Sequence, residues 1–302
     1  MRVFVTGAAG FVGTRLCARL AARGDELCAH DGELDVSDAA RVREAIDAAR
    51  PEAIVHLAAI SSVPDAEADP LRAFRVNALG ARAVLDSALH AAPRARVLLV
   101  TSAAIYGAAP RGSAGFDESA PLRPATAYAR TKAAADALGA AYAQRGLAVV
   151  RARPFNHTGA GRPAAYVEAR LARDVAAIAA GRSAPRLTLA NPESQRDFLD
   201  VEDVVDAYLA LLDPRVPAGA YNIARGEPVS MLELAQRLCR LAAIAPEIVA
   251  TSDPQRAPDA TIGSAAKLRA ATGWRPQRAL DETLRELLAA QSKGDRSGAA
   301  GA

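Results

Sequence analysis

The chain has 302 residues, 51% of them hydrophobic and 24% charged, with a formal net charge of +3. That length allows one large or two modest domains with ample material for a core, and so small and scattered a positive excess argues against a nucleic-acid partner. No apolar run is long enough to span a bilayer and Met1 leads directly into a strand, so neither a membrane span nor a signal peptide is expected and the cytoplasm is the default location. Cys17, Cys28 and Cys239 are widely spaced and odd in number, and read as buried reduced thiols. His30, His56, His90 and His157 show no metal-ligand spacing, so no metal is expected.

The chain opens on its organising stretch. Val3, Phe4 and Val5 are strand formers, Gly7, Gly10 and Gly13 follow at GxxGxxG spacing, and Phe11, Val12, Leu16 and Leu20 recur at helical spacing. Strand, glycine turn and helix in succession are the setting that makes a glycine pattern a dinucleotide site. Gly7 permits the tight turn, Gly10 lets backbone approach a pyrophosphate, and Gly13 lets the helix pack close to the strand. The helix N-terminus adds free N–H groups and a positive dipole end. Asp25 to His30 reads as a second strand ending at Asp31, eighteen residues after Gly13. A ribose-binding acid belongs near there. A carboxylate at Asp31 accepts hydrogen bonds from ribose hydroxyls and repels a 2′-phosphate, which favours NADH over NADPH.

Leu34 to Val36 leads into a helix capped by Ser37. Ala53 to Leu57 is a third buried strand, Asp69 to His90 a long helix carrying Asn77, and Arg96 to Thr101 a fourth strand of the composition a doubly covered strand needs. A helix over Thr126 to Arg145 and a strand over Leu147 to Arg153 continue the alternation, which predicts βαβ units in a doubly wound parallel sheet of the Rossmann type. Then the rhythm changes: a helix over Pro163 to Gly181, a proline-rich passage, a helix from near Val201, a short strand at Tyr221 to Ile223, a helix capped by Ser230, a loop from Pro254 to Pro258 and a final helix over Leu280 to Ala290. The division expected is a dinucleotide-binding domain over 1–160 with a return segment near 190–213, a smaller substrate-binding lobe over 161–290, and a disordered tail over 291–302.

Tyr128 and Lys132 stand one helical turn apart on one face. A phenol with a reference pKa of about 10 exchanges protons poorly at neutral pH, and an ammonium beside it favours the phenolate. The pair is a candidate general acid/base with its own tuner. Ser102 lies just past the fourth strand, on the rim where open α/β sheets bind ligands, and its hydroxyl can share a substrate oxygen with Tyr128.

Together, the three glycines, HLAA at His56 to Ala59, Asn77, TSAAIYG at Thr101 to Gly107 and the Tyr128/Lys132 pair resemble the extended short-chain dehydrogenase/reductases, the NAD-dependent epimerase/dehydratase family. The resemblance implies binding of NAD or NADP and action on a nucleotide sugar. It implies Ser102, Tyr128 and Lys132 as the catalytic triad, Lys132 also on the nicotinamide ribose, and Asn77 as a structural asparagine beside the cofactor. Gly7, Gly10, Phe11, Val12, Gly13, Asp31, Leu57, Ala58, Ala59 and Pro154 complete the implied cofactor site, with Asp35 and Val36 beside the adenine. RPFNHTGAG at Arg153 to Gly161 looks like a signature of the GDP-4-dehydro-6-deoxy-D-mannose reductases within that family, supported by RDFLDV at Arg196 to Val201 and KLRAATGW at Lys267 to Trp274. By that resemblance Ser61, Ser102, Asn156, Arg196 and Arg256 face the substrate, the arginines suiting phosphate oxygens.

The activity implied is NAD(P)H-dependent reduction of the 4-keto group of a GDP-linked 4-keto-6-deoxyhexose, to GDP-D-rhamnose or GDP-6-deoxy-D-talose. Dehydratases of the family carry acidic or polar residues just after the triad serine or threonine; Ala103 and Ala104 stand here instead, with Asp117 and Glu118 the nearest acids to recruit. The alternatives are a 4-epimerase of the same family and, from another class, a non-catalytic dinucleotide-sensing protein. Pairing through helices of the cofactor domain, giving a homodimer, is also implied.

Overall fold

Six parallel strands form the central sheet, in the order Gly219–Ile223, Ala148–Pro154, Arg96–Val100, Ala53–His56, Arg2–Thr6, Glu26–His30. The computed structural model of the protein describes residues 1–30, 34–251 and 258–298. The sheet is doubly wound because its strands are apolar on both faces. Val3 and Val5 enter one core with Leu16, Leu20, Val204, Tyr208 and Leu211. Phe4 between them points into the other, with Val42, Ile46, Val84 and Leu85. The alternation of a pleated strand thus feeds two helical layers from one short run.

The chain reverses direction across the sheet beside Arg2–Thr6, which lies between Glu26–His30 and Ala53–His56. Open α/β sheets bind ligands at such a switch point, beyond the carboxyl ends of the strands. The turns that follow Thr6 and His56 meet there. Thr6 Oγ1 is 2.8 Å from His56 Nδ1 and accepts from the Ala58 N–H at 3.3 Å.

The first half departs from the sequence expectations in three places. The helix Ala39–Ala49 is capped by Asp38, whose Oδ1 accepts from the Ala40 and Arg41 N–H groups, while Ser37 donates to Asp35 instead. A short helix, Val63–Ala68, was not foreseen; its signals are the Ser62 cap and the proline in its first turn. The long helix carrying Asn77 starts at Pro70 under an Asp69 cap and reaches Ala91, but passes through one π-helical turn at Arg75–Leu79. Such turns cluster at functional sites.

The second half builds a smaller lobe on a mixed sheet, in which Gln195–Asp200 pairs with Pro228–Ser230, Asp259–Thr261 and Asn156–Thr158. Its core gathers Phe198, Leu234, Leu238, Leu284 and Leu287. The helix expected from Pro163 begins at Val167, after a turn. The segment near 190–213 holds the helix Val201–Leu211, which lies against the central sheet. The strand that rejoins that sheet, Gly219–Ile223, falls just beyond it. The last helix, Leu280–Gly298, continues past Ala290. Cys239 is buried, Cys17 and Cys28 are half-buried, and none of the three is in a disulfide.

Candidate active site

The glycine turn is built by exclusion. Gly7 has φ +71°, and a Cβ on it would stand 2.8 Å from the Ala58 backbone nitrogen. A Cβ on Gly13 would stand 2.1 Å from the Gly7 carbonyl oxygen and 2.6 Å from that of Ala8. The turn is closed by the Gly10 N–H donating to the Gly7 carbonyl at 3.1 Å. The helix Gly13–Ala22 then starts with no side-chain cap from Val12. Its Thr14 N–H donates to the Gly10 carbonyl at 3.0 Å, and an anion at that point meets the positive end of the helix dipole. This cradle fits the pyrophosphate of a dinucleotide. Gly7, Gly10, Phe11, Val12, Gly13, Leu57, Ala58, Ala59 and Pro154 all line one cleft of about 620 Å³.

Ser102, Tyr128 and Lys132 line the same cleft. Ser102 leaves the strand Arg96–Val100 in an extended conformation, and its Oγ accepts from the Ala104 N–H at 3.1 Å, capping a short 3₁₀ turn. The helix Ala127–Gln144 is fixed at its start by Thr126, which accepts from the Ala129 N–H at 3.1 Å, and by Glu67, which accepts from the Ala127 N–H at 2.6 Å. Lys132 is 5% exposed, and its Nζ donates to the Val100 carbonyl at 2.8 Å.

The electrostatics differ from the sequence expectation. Burial pushes the Tyr128 phenol above its ordinary value, with a hydrogen bond from Ser102 and the positive charge of Arg162 working the other way. Burial brings Lys132 down to about 8. The Lys132 ammonium is anchored on the Val100 carbonyl, and the positive charge of Arg162 also acts on Tyr128.

Asn77 does not line the cleft. It is 1% exposed and acts as a splint. Its Oδ1 accepts from the Ile60 N–H at 2.8 Å, and its Nδ2 donates to the Ile60 carbonyl and Thr131 Oγ1, both at 3.0 Å. Thr131 in turn donates to the Tyr128 carbonyl at 2.8 Å. The π-helical turn thereby ties the third strand's loop to the helix that carries Tyr128 and Lys132.

Ser61, Asn156 and Arg196 reach the cleft. Ser61 Oγ is 2.8 Å from the Tyr166 hydroxyl, and Arg196 donates to Asp259 at 2.9 Å. Asp35 and Val36 are not among the lining residues: Asp35 accepts from Ser37, and Val36 is buried against Gly80. Asp31 and Arg256 lie outside the described residues.

Sequence reasoning missed Arg162 and Tyr166, which also line the cleft. No spacing rule singles out a lone arginine in a glycine-flanked loop. His157 stacks on Phe11 with ring centroids 6.4 Å apart and bonds the Phe155 carbonyl through Nδ1. Burial lowers its pKa to about 4, so it is neutral at pH 7, yet its ring still borders the cleft.

A glycine cradle at the switch point of a parallel sheet, with a Ser-Tyr-Lys set in the same cleft, defines a dinucleotide-dependent oxidoreductase of the short-chain dehydrogenase/reductase type. The chain belongs to the NAD dependent epimerase/dehydratase family, which matches residues 3–224. It is 34% identical to the GDP-6-deoxy-D-mannose reductase of Pseudomonas aeruginosa over 95% of its own length and 96% of the relative's. It is 28% identical to the GDP-6-deoxy-D-talose 4-dehydrogenase of Aggregatibacter actinomycetemcomitans over 80% of each chain. Its fold matches the structure of RMD from Pseudomonas aeruginosa complexed with NADPH with a TM-score of 0.88 at 32% identity, covering 97% of this chain and 99% of that one.

Proposed function

We propose that the protein is an NAD(P)H-dependent nucleotide-sugar 4-ketoreductase. Its favoured substrate is GDP-4-dehydro-6-deoxy-D-mannose, and its product is GDP-D-rhamnose or the C4 epimer, GDP-6-deoxy-D-talose. The names of the two sequence relatives support the GDP-linked 6-deoxyhexose, and the NADPH of the structural relative supports the reduced dinucleotide.

One observation carries the choice of reduction over elimination. Ala103 and Ala104 follow Ser102 along the cleft. Among the described lining residues Asp259 is the only carboxylate, and Arg196 holds it at 2.9 Å. The two acids that follow in sequence are engaged elsewhere: Asp117 accepts from Ser119, and Glu118 from the Asn222 N–H. Removing water from C5 and C6 of a hexose needs an acid and a base of its own; reducing a ketone needs one hydride and one proton.

When bound, the reduced nicotinamide supplies that hydride. Tyr128 holds the proton and delivers it to the substrate's C4 oxygen, which the Ser102 hydroxyl also polarises. Lys132, charged below pH about 8, is fixed by the Val100 carbonyl and offsets the negative charge left on the phenol. Gly7 to Gly13, Leu57 to Ala59, Lys132 and Pro154 are the residues that would hold the dinucleotide. Asp31 is proposed to contact its adenosine ribose, and Asn156, Arg196 and Arg256 the substrate's diphosphate region.

The test offers GDP-4-dehydro-6-deoxy-D-mannose with NADH and separately with NADPH, following cofactor oxidation and identifying the sugar. Stoichiometric oxidation is expected. Interconversion of C4 epimers with no net oxidation would make the protein an epimerase, and a 4-keto-6-deoxy sugar formed from GDP-mannose would make it a dehydratase. The proposal includes a cytoplasmic homodimer. Leu71, Phe74 and Leu79, exposed on one helical run of the cofactor half, support pairing there, and sedimentation velocity reads it. No helix among the described residues is long and apolar enough to cross a membrane.

A further inference from the structure

Two guanidinium groups lie against the ring of Phe11, the residue that follows Gly10 in the glycine turn. The Arg15 carbon Cζ is 4.6 Å from the ring centroid and that of Arg162 is 5.0 Å away. Their donors are used differently. Arg15 has all three nitrogens engaged: one Nη donates to the Phe11 carbonyl at 2.7 Å, the other to the Ala160 carbonyl at 2.5 Å, and Nε faces Glu202 at 3.2 Å. It is a structural clamp between the turn and the second lobe. Arg162 spends only Nε, on Glu168 at 3.2 Å. Among the described residues neither of its Nη groups has an acceptor, and the side chain borders the cleft.

Everything else about Arg162 fixes its direction. Its Cζ sits 3.4 Å from the centroid of Tyr166, whose hydroxyl is in turn 2.8 Å from Ser61 Oγ. Its carbonyl accepts from Gln291 Nε2, on the last helix, at 3.1 Å. Glu168, its ion-pair partner, is only 2% exposed. Burying a carboxylate is costly unless it is paired. Here the paired guanidinium lies against Tyr166, within reach of Phe11, and borders the cleft. An arginine whose two Nη groups are open, rigid and beside an uncapped helix N-terminus is matched to a pair of phosphate oxygens.

We infer that Arg162 is a diphosphate-binding residue of the cleft, oriented by Glu168 and placed beside Phe11 of the glycine turn. Its contact with Phe11 favours the pyrophosphate of the dinucleotide as the anion; the diphosphate of the nucleotide sugar has the same chemistry. This rests on reading the cleft as a dinucleotide and nucleotide-sugar site. It makes the loop from Gly159 to Tyr166, which belongs to the second lobe, a part of the cofactor's enclosure.

The test uses binding alone. ADP-ribose, adenosine and GDP are titrated calorimetrically into the full chain and into Arg162→Met, which keeps the stem beside the rings. ADP-ribose affinity is expected to fall on the order of ten- to a hundredfold, the range for a charged hydrogen-bond donor pair, with adenosine affinity unchanged. Loss confined to GDP supports the same role with the sugar nucleotide as its anion. Unchanged affinity for both diphosphates overturns the assignment. Because Arg162→Met leaves Glu168 unpaired, Arg162→Met/Glu168→Gln is titrated beside it, and thermal unfolding confirms that the variant is folded. Failure of the unmodified chain to bind either ADP-ribose or GDP would instead sink the reading of the cleft itself.

Discussion

The two sides of the cleft are made of different materials. The cofactor side is backbone held by backbone: glycines without room for a Cβ, Lys132 on a carbonyl, Asn77 on both groups of Ile60. The substrate side is charge held by charge, Arg196 on Asp259, and the Arg162–Glu168 pair stands where the two sides meet. A cradle of backbone has one shape and fails when a single methyl is added. A set of ion pairs is adjustable, since exchanging one charge shifts affinity without moving the chain. That difference suits a site whose one ligand is a fixed dinucleotide and whose other is one of many sugars.

The sharpest way to separate the two sides is Tyr128→Phe, which removes the reacting proton and nothing that binds. We expect kcat to fall by about 10²- to 10⁴-fold, the usual contribution of a positioned general acid, with ADP-ribose and GDP affinities within about twofold of the unmodified protein. Parallel titration and turnover measurements check this. Turnover near the original rate would take Tyr128 out of the chemistry.

Gly13→Ala attacks the cofactor side alone. The added methyl meets two carbonyl oxygens, of Gly7 and Ala8, and neither belongs to a side chain that can swing away. The turn must open, at a cost of about 1–3 kcal/mol for overpacking, and the cradle opens with it. ADP-ribose binding should become undetectable while GDP binding persists. Thermal unfolding and calorimetry read both, and an unchanged ADP-ribose affinity would show that the cradle is not where the dinucleotide binds.

These two residues also mark what the sequence discloses. The cofactor side is legible because its rules are local: Gly7, Gly10 and Gly13 act within one turn, and Tyr128 and Lys132 within one helical turn. The substrate side is built from partners far apart in the chain. Arg196 meets Asp259 across 63 residues and Ser61 meets Tyr166 across 105, and no spacing pattern announces either. Arg162 was invisible for the same reason, its meaning residing in Phe11, Glu168 and Tyr166 together. Within the legible half, Ser37 was displaced as a cap because Asp38, one residue later, reaches two N–H groups while Ser37 donates to Asp35. Two adjacent capping residues look alike until the turn before them is known.

The pH profile tests where the sides meet. Burial leaves His157 and His56 neutral across the physiological range, with pKa values of about 4 and about 3, so kcat/KM should be flat between pH about 6 and 7.5. Lys132, lowered to about 8, loses its charge above that pH, while the Tyr128 phenol, pushed upward by burial, keeps its proton there. The rate should therefore fall about tenfold per pH unit above 8, through loss of the cation and not of the acid. In Lys132→Arg, whatever its absolute rate, that limb should vanish, because a guanidinium does not titrate there. The sign for stability is opposite. Between pH about 8 and the ordinary lysine value the unfolded chain holds more protons at this position than the folded one, so its contribution to stability rises with pH.

The smallest effect lies on the substrate side, at Arg196. Its Nη1 already serves the Gln195 carbonyl at 2.8 Å and Asp259 at 2.9 Å. A phosphate approaching it meets a cation whose charge is largely offset by a neighbouring carboxylate. The pair is only partly buried, 23% and 16% exposed in its side chains, so it contributes little to folding, within about 1 kcal/mol. Arg196→Gln should weaken GDP binding by only about three- to tenfold and leave the melting temperature nearly unchanged. The informative partner is Asp259→Asn. It keeps a hydrogen-bond acceptor for Arg196 but removes the competing charge, so GDP should bind more tightly than to the unmodified chain, by a few-fold at low salt and less at high salt. Opposite signs from two residues in direct contact are what a charge-balanced substrate wall requires. A loss of GDP affinity in both variants would mean that the pair acts as one rigid structural unit, and that the substrate side is built no differently from the cofactor side.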